Sequence, residues 1–325
     1  MNIRPSLLIA TLVLALTAGA HAATPAAAKA CDRECLKQLA DTYVAALVAH
    51  DPSKAPLARD VRMVENIQRI QPGDGLWKTA AAVPTTFRIY VPDPVAQQVG
   101  LLAVMQEEDH PIQLGLRLKL VNGRIAEAEH VVVHKLNAAN LPNLQTPRQP
   151  LTTSVLPEWR DSRGRLLSIG ASYYDALDLN NGSLAPFADD CVRFENGGQS
   201  ARKPVPAAPG NDSFAPFGAL GCARQLDTQV MAYITRIDNR RVWIADEENG
   251  LVFGLSHFRH AMEKTEWPTY GVQGVPFRKI DYKPFDLPAV HIFKIWGGQI
   301  HEIEAIGFLA PYNSSTGWDD SSVSH

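Results

Sequence analysis

The chain has 325 residues, of which 46% are hydrophobic and 20% are charged, with 31 Lys and Arg against 34 Asp and Glu. A formal net charge of −3 argues against a nucleic-acid-binding protein, because such domains normally carry a basic excess. No charge run, collagen-like period or heptad array occurs, so the composition is that of a globular protein with one large or two modest domains.

The N-terminus has the pattern of a secretory signal peptide. Arg4 precedes an apolar run over 7–20, and a small-x-small cleavage site ends at Ala22. The run is too short for a comfortable membrane span, and no later stretch is long enough. We therefore predict a signal peptide over 1–22, a linker over 23–30, and a secreted protein, periplasmic or extracellular, without a membrane span.

An internal repeat divides the rest of the chain. When residues 36–66 are shifted by 130 positions, eleven of 31 positions match without a gap, whereas composition alone predicts roughly two. A second match, between 123–129 and 298–304, has an offset of 175, so the second copy contains about 45 extra residues. These offsets predict a first domain over 31–150 and a second, longer domain over 151–325.

The cysteines predict two disulfides. Cys31, Cys35, Cys191 and Cys222 are an even number in a chain with an export signal, and four cysteines allow three connectivities. We favour Cys31–Cys35 and Cys191–Cys222, because each pair then lies within one proposed domain. A zinc site is the alternative, but a C-x3-C spacing without a CxxC partner is poor zinc spacing.

Each copy begins with a helix and continues with strands. Apolar residues recur at helical spacing from Leu36 to Leu47 and again from Leu166 to Leu177. Hairpin turns are predicted at 121–123 and 296–298, where glycine supplies a positive φ. Strands are predicted over 61–66, 87–91, 99–106, 112–121 and 125–134, and in the second copy over 191–196, 229–237, 241–246, 251–259, 289–296 and 299–307. A helix followed by an antiparallel run of strands indicates an α+β fold.

This order, together with the Gly-x-Ile-x-Glu hairpins at 123–127 and 298–302, resembles the SnoaL-like branch of the nuclear-transport-factor-2-like (NTF2-like, cystatin-like) superfamily. The resemblance covers residues 31–140 and 160–310. It implies two tandem cone-shaped domains, each with helices packed on a curved antiparallel sheet around an apolar pocket. Members include polyketide cyclases, dehydratases, isomerases, epoxide hydrolases and domains that only bind or dimerise, mostly without cofactor or metal. The secreted tandem arrangement also resembles glutathione-independent enzymes that cleave β-aryl ethers in lignin fragments.

Several common catalytic motifs are absent from the sequence. The string over 254–258 lacks the closing glycine of a nucleophile elbow, and no GxGxxG or Walker loop occurs. His257 and His260, three residues apart on a predicted strand, would point to opposite faces and lack an acidic zinc signature. We therefore predict neither a metal nor a cofactor, and interpret this pair as a surface or pocket-rim feature.

Acid–base chemistry in an apolar pocket remains, since burial can move the pKa values of an acid and a base toward neutrality. The second copy is richer in such groups, so we predict that its pocket is the working one. The catalytic candidates, with a histidine as base and a carboxyl or tyrosine as acid, are Tyr174, Glu195, His257, His291 and His301. The substrate-binding candidates are Tyr173, Arg193, Asn196, Trp267 and Trp296.

Structural interpretations of these residues stay open beside the functional ones. Tyr173 lies on the apolar helix face and suits core packing, and a Glu–Asn pair at 195–196, repeated at 65–66, suits a turn. Glu302 and Glu304, like the pair at 127 and 129, share one strand face that is either buried or solvated. The loops over 197–221 and 264–288, rich in Pro, Gly and aromatics, are either lids or covers of the domain interface. His291 and His301 are predicted to face each other across their hairpin.

The sequence thus predicts a secreted, cofactor-independent lyase, hydrolase or isomerase that acts on a small hydrophobic, aromatic molecule. Cleavage of β-aryl ethers is the most specific prediction. The alternative is a non-catalytic module of the same fold that binds a small molecule or a partner. No nucleic acid is expected as a partner, and the oligomeric state is either a monomer or a homodimer.

Overall fold

The structure, a computed structural model, describes Met1 and residues 30–204 and 214–318. The predicted signal peptide, its cleavage site and most of the linker over 23–30 lie outside the described residues. Within the described ranges, no helix is both long and apolar enough to cross a membrane.

Domain 1 contains one long helix and seven strands. Helix α1 spans Arg33–Val48, begins where the Asp32 side chain accepts from the backbone N–H of Cys35, and buries Leu36, Tyr43 and Leu47. The other elements, in chain order, are β1 Leu57–Glu65, β2 Gln68–Ile70, α2 Leu76–Thr79, β3 Ala80–Ala82, β4 Arg88–Asp93, β5 Gln98–Glu107, β6 His110–Val121 and β7 Arg124–Val133. The predicted turn before β7 is present, with Asn122 and Gly123 at positive φ.

Three 3-10 helices, Ala138–Leu144, Gln149–Thr152 and Pro157–Trp159, connect the domains. Domain 2 then opens with helix α3, Arg163–Asp178, and is longer than domain 1. Its other elements are β8 Phe187–Glu195, β9 Gly198–Ala201, α4 Ala215–Gly218, α5 Cys222–Asp227, β10 Arg236–Asp246, β11 Leu251–His260, β12 Glu266–Pro268, β13 Phe277–Lys279, β14 Phe285–Trp296, β15 Gln299–Gly307 and β16 Ala310–Pro311.

The two domains repeat one topology. The strands of the first sheet run in the order β2-β1-β7-β6-β5, and those of the second in the order β9-β8-β15-β14-β11-β10. In the first sheet β4 pairs with β5, so β4 corresponds to β10 of the second. Helices α1 and α3, and strands β1 and β8, begin and end 130 positions apart. The predicted α+β fold with two tandem domains is therefore confirmed. One detail differs, because β1–β7 and β8–β15 pair in parallel within otherwise antiparallel sheets.

The Asn at the end of the first strand acts as a backbone clamp in both domains. Asn66 and Asn196 adopt φ values of 45° and 46°. The Asn66 side chain bonds both the N–H and the carbonyl of Val132, and Asn196 does the same with Gly307. Each clamp therefore fixes the end of β1 or β8 to the neighbouring parallel strand, β7 or β15, which explains why this residue recurs in the repeat.

The strand predicted over 229–237 is wrong for most of its length. Residues 228–234 form turns, Gln229 has a φ of 66°, and β10 begins only at Arg236. The carbonyl of Gln229 accepts from the Trp267 indole N–H at 2.8 Å, and the carbonyl of Val230 accepts from Arg278. Because side chains of the β12–β13 hairpin bind these carbonyls, the segment has no need of a strand partner.

Both predicted disulfides are present, Cys31–Cys35 at the start of α1 and Cys191–Cys222 between β8 and α5. The second one joins the strand to the insertion that distinguishes domain 2 from domain 1. The described part of this insertion also includes the β12–β13 hairpin.

The domains pack sheet against sheet through the faces that point away from α1 and α3. Leu102 and Val131 of domain 1 lie in one buried cluster with Phe253 and Val290 of domain 2. A Cβ on Gly115 would lie 2.8 Å from the Val290 side chain, so the sheets approach closely there. Each helix thus covers the concave face of its own sheet, and the two convex faces form a shared core.

Candidate functional site

A small cavity lies between α3 and the concave face of the domain 2 sheet. Its volume is about 70 Å³, and apolar side chains such as Phe258 form much of its wall. The polar side chains that line it are Tyr173, Glu195, Tyr233, His260 and His291. Few polar groups in an otherwise apolar concavity are typical of a ligand-binding site.

His291 lies at the base of this cavity. Its Nδ1 is 3.2 Å from the hydroxyl of Tyr174, and Phe293 stacks parallel to its ring at 5.8 Å. Burial lowers the pKa of His291 to about 3, and the nearby Arg193 cation acts in the same direction. Among the described residues no hydrogen bond reaches Nε2 of His291. This histidine is therefore neutral near pH 7, with one ring nitrogen open to a ligand.

The position of Tyr174 depends on a glycine in the facing strand. Gly254 lies directly opposite His291 in the β11–β14 ladder. A Cβ at Gly254 would lie 2.7 Å from the Tyr174 hydroxyl. The absence of a side chain on β11 therefore lets the phenol reach the imidazole. Burial raises the pKa of Tyr174, so it remains a hydrogen-bonding phenol.

His260 is the second buried imidazole of the cavity. It stacks on Phe285 with a centroid distance of 4.1 Å and on Tyr233 at 5.2 Å. The residue is 2% exposed, and its Nδ1 has no partner at strict hydrogen-bond geometry among the described residues. The backbone of Phe258 and Phe285 nevertheless lies close enough to the ring to oppose part of the effect of burial on its pKa. Burial lowers its pKa to about 4. A buried polar atom without a partner is rare in folded proteins and is a position where a ligand would be stabilised.

Arg193 and Glu195 add the charges of the site. The Arg193 guanidinium is buried, lies 2.9 Å from a Glu195 carboxylate oxygen, and also donates to Ser200 at 2.9 Å and to Gln225. The Glu195 side chain is half exposed, so it connects the cavity with solvent. Burial raises the pKa of Tyr173, on the cavity wall, to about 12.

The β12–β13 hairpin covers the side of the cavity formed by Tyr233 and His260. Trp267 of β12 stacks on Tyr233 with a centroid distance of 5.9 Å. The guanidinium of Arg278 lies 5.0 Å from the Tyr233 ring centre and 5.8 Å from that of Trp267. These aromatic contacts place the segment as a cover over domain 2. Among the described residues, the shared core between the domains contains no residue of this hairpin.

Four of the predicted site residues lie away from the cavity. His257 is on the convex face of β11, 3.1 Å from Ser314 and 3.5 Å from Asp286. His301 bonds Asp190 at 2.7 Å and stacks on Trp296 at 3.4 Å. The remaining one is Asn196, whose amide is committed to Gly307.

The prediction that His291 and His301 face each other is wrong. His291 is opposite Ala305 in the β14–β15 ladder, and a bulge follows Lys294, close to the turn. Because Trp296 pairs with Gln299 across the turn, His291 would lie opposite Glu304 even without the bulge. His301 itself is the extra, unpaired residue of the bulge.

Domain 1 has a filled counterpart of the site. Tyr43, the repeat partner of Tyr173, lies 2.8 Å from Nε2 of His130, whose Nδ1 is 3.0 Å from Glu65. Trp77 packs against the Tyr43 ring at 5.3 Å, and the N–H of Leu76 donates to the Glu65 carboxylate. In domain 2 the position of His130 is occupied by Ala305, which lines the cavity. This exchange of a large for a small side chain contributes to the space in domain 2.

The paired glutamates share one face of their strands, as predicted, and that face is buried in the domain interface. Glu129 receives bidentate hydrogen bonds from Arg241 across the interface. Glu302 and Glu304 each accept from Arg148 of the connecting segment at 2.7 Å. Structural ion pairs are therefore their main contacts.

Sequence reasoning did not name Tyr233, His260 or Lys294 as site residues. Tyr233 lies in a turn of the insertion, where no periodic pattern marks it. Lys294 is the single charged residue of the apolar segment 289–296, and that isolation is a signal that could have identified it. Within 30–204 and 214–318, no group of three or more His, Cys, Asp or Glu side chains has the arrangement of a metal site.

The chain belongs to the family described as a domain of unknown function, DUF8021, whose model matches residues 29–132 and 159–307. The two separate matches agree with the two repeated domains of the structure. No curated protein matches the chain significantly.

Three solved structures with similar folds each match less than half of the chain. A protein from Sphaerobacter thermophilus is 17% identical, with 30% of this chain and 94% of that chain covered and a TM-score of 0.25. An inferred polyketide cyclase from Xanthomonas campestris pv. campestris is 18% identical, covering 44% and 90%, with a TM-score of 0.28. An inferred ketosteroid isomerase from Kribbella flavida is 16% identical, covering 39% and 93%, with a TM-score of 0.27. Likenesses at this level assign no activity to the chain.

Proposed function

We propose that domain 2 is a cofactor-independent enzyme that binds a small apolar molecule in its cavity and moves a proton on it. The observation that carries the proposal is the pair of buried, neutral histidines, His260 and His291, each with a ring nitrogen that no described residue bonds. A folded protein rarely keeps such groups in an apolar cavity without a use for them.

The lowered pKa values change the roles that we assign. An imidazole with a pKa of about 3 is a weak base, so His291 suits hydrogen bonding to a developing charge better than proton abstraction. Glu195, the carboxylate at the cavity edge, is the better proton acceptor. Tyr173 and Tyr174 remain phenols near neutral pH, with Tyr174 orienting His291. This arrangement supports an isomerase or lyase more than a hydrolase.

The size of the cavity limits the substrate. A volume of about 70 Å³ is well below the roughly 300 Å³ at which pockets for drug-sized ligands begin. A β-aryl ether dimer therefore requires the β12–β13 hairpin to move outward, whereas a single small ring requires only modest adjustment. We keep cleavage of β-aryl ethers as part of the proposal, and it is the reaction that requires the largest movement of the hairpin.

The two disulfides support an oxidising compartment, and we propose that the protein acts in the periplasm or outside the cell. A non-catalytic binding module is the second candidate. The ion pair between Arg193 and Glu195 favours it, because a carboxylate engaged by a guanidinium at 2.9 Å is less available as a base.

The test is turnover of an aromatic panel without added cofactor. The protein would be dialysed against EDTA and incubated with phenols, cyclic enones and β-aryl ether dimers, and products would be followed by liquid chromatography–mass spectrometry. We expect turnover of at least one compound, lost in His291→Gln and Glu195→Gln but retained in His110→Gln, a matched change at a half-exposed histidine. Retention of a compound without turnover would support the binding module, and activity that persists in both site variants would refute the proposed site.

A further inference from the structure

A second concavity lies outside domain 2's cavity, at the surface between the connecting segment and the end of β14. Its volume is about 410 Å³, which is within the usual range for small-molecule sites. Val155, Leu156 and Trp159 of the connecting segment form one side, and Lys294 and Trp296 of β14 form the other. We call this concavity the linker groove.

The aromatic walls of the linker groove are held in place. Trp159 is 55% exposed, yet its carbonyl accepts from the N–H of Gly297 at 2.9 Å. A Cβ on Gly297, which has a φ of +58°, would lie 2.9 Å from the Trp159 ring, so the indole packs on bare backbone. Trp296 stacks on His301 at 3.4 Å. Exposed leucine and tryptophan side chains that are fixed in this way form an apolar patch suited to a flat ligand.

One cation faces the linker groove. Lys294 is 3% exposed, and its Nζ donates to the carbonyls of Thr153 and Asn249, each at 2.6 Å. An ammonium has three N–H donors, so two carbonyls leave one donor over. No carboxylate of the described residues forms an ion pair with Lys294. The nearby Asp246 and Glu302 instead bind arginines, at 2.7 Å in both cases.

We propose that the linker groove binds a small aromatic carboxylate, whose ring lies against Trp159 and Trp296 and whose carboxylate accepts from Lys294. An anion is favoured because the groove offers a buried cation without an acidic partner, and an aromatic ring is favoured because the walls are indoles. The proposal is independent of the proposed function of domain 2. In this proposal Trp296, which does not line the domain 2 cavity, contributes to binding in the linker groove.

The test uses isothermal titration of the full chain with 2-naphthoate, and with 2-naphthamide as the uncharged control. We expect the wild-type protein to bind the carboxylate at least about tenfold more tightly than the amide. Trp159→Ala should weaken naphthoate binding at least about tenfold. Trp243→Ala, a matched change at a tryptophan that is 46% exposed elsewhere, should leave it within about twofold, as should His291→Gln.

Lys294→Met retains most of the side-chain length and should abolish the preference for the carboxylate. If this variant fails to fold, Trp159→Ala and the amide still decide the question. Equal affinity for carboxylate and amide, unchanged binding in Trp159→Ala, or no binding at millimolar naphthoate would each overturn the proposal. Loss of binding in His291→Gln but not in Trp159→Ala would place the ligand in the domain 2 cavity and would also overturn it.

Discussion

At the scale of single residues, the protonation of the buried histidines determines what the cavity can do. His291 and His260 lie on one face of the domain 2 sheet, and burial lowers both pKa values well below 6.5. His257, one strand face away, contacts Asp286 and belongs to the domain interface instead. Sequence spacing predicts His257 and His291 as catalytic candidates but His260 only as part of a surface or pocket-rim pair, whereas both members of that pair are buried. Only the sheet register separates the histidines that share the cavity from the one that does not.

The first prediction concerns the pH dependence of stability. Between pH 6.5 and about 3 the unfolded chain binds a proton at His291 that the folded protein does not bind, so the free energy of unfolding falls as the pH falls through that window. Replacement by Gln removes this contribution. Between pH 7.5 and pH 5, the free energy of unfolding measured in urea should fall by about 2 kcal/mol less in His291→Gln than in the wild type. His110→Gln is the control and should follow the wild-type curve; a His291→Gln curve parallel to the wild type would contradict the assignment.

The second prediction concerns Arg148, the partner of Glu302 and Glu304. Arg148→Met leaves the fully buried Glu304 without its cation, which should lower the free energy of unfolding by about 3–5 kcal/mol at pH 7. Burial already raises the pKa of Glu304, and loss of Arg148 raises it further. A buried carboxyl with a raised pKa destabilises the fold when it ionises, so the deficit should shrink as the pH falls toward 4.5.

Arg236→Met is the control for Arg148, and the change should cost less than about 1 kcal/mol. Arg236 is 60% exposed, and its partner Asp238 is 33% exposed and keeps Arg259. Equal losses of unfolding free energy in the two variants at pH 7 would contradict the stabilising role assigned to the ion pairs of Arg148.

At the scale of elements, the repeated parts could be predicted and the inserted parts could not. Helical and alternating patterns located α1, α3 and most strands to within a few residues. The segment 228–234 was wrongly predicted as a strand, because its backbone carbonyls bind side chains of the β12–β13 hairpin, which is distant in sequence. The working pocket was predicted in domain 2, where the structure has a cavity, but His301, the extra residue of the bulge after Lys294, lies outside that cavity.

The third prediction compares the two disulfides. Cys191 and Cys222 are 31 residues apart, whereas Cys31 and Cys35 are four apart. A cross-link that closes a longer loop removes more entropy from the unfolded chain. Replacing both Cys191 and Cys222 by Ala should therefore lower the free energy of unfolding by about 3–4 kcal/mol, against about 2 kcal/mol for the Cys31 and Cys35 pair. A larger loss for the short pair in urea unfolding would contradict this account of the insertion.

At the scale of the whole molecule, the two domains form one packing unit. Each sheet buries its convex face against the other, and ion pairs such as Arg241–Glu129 and Arg163–Asp93 cross the interface. We expect neither domain to remain soluble without the other, because separation would expose the shared apolar core.

The fourth prediction tests this coupling. Scanning calorimetry of the full chain should show a single transition that includes both domains. Gly115→Val places methyl groups where the sheets are closest and should lower the free energy of unfolding by about 1–3 kcal/mol while keeping one transition. Gly164→Ala, in α3 with nothing within 4 Å of the added Cβ, is the control and should be neutral or stabilising. Two resolved transitions in the wild type would show that the domains unfold independently.

The central claim is that the cavity between α3 and the domain 2 sheet is the working site. The most direct measurement is histidine-ring NMR of protein labelled with nitrogen-15 in histidine, titrated with phenol as a probe of the size of one ring. The account predicts neutral rings for His291 and His260 at pH 6, and phenol-dependent shifts confined to these two. Shifts at His257 with none at His291 or His260 would contradict it, as would a His291 ring that is protonated at pH 6.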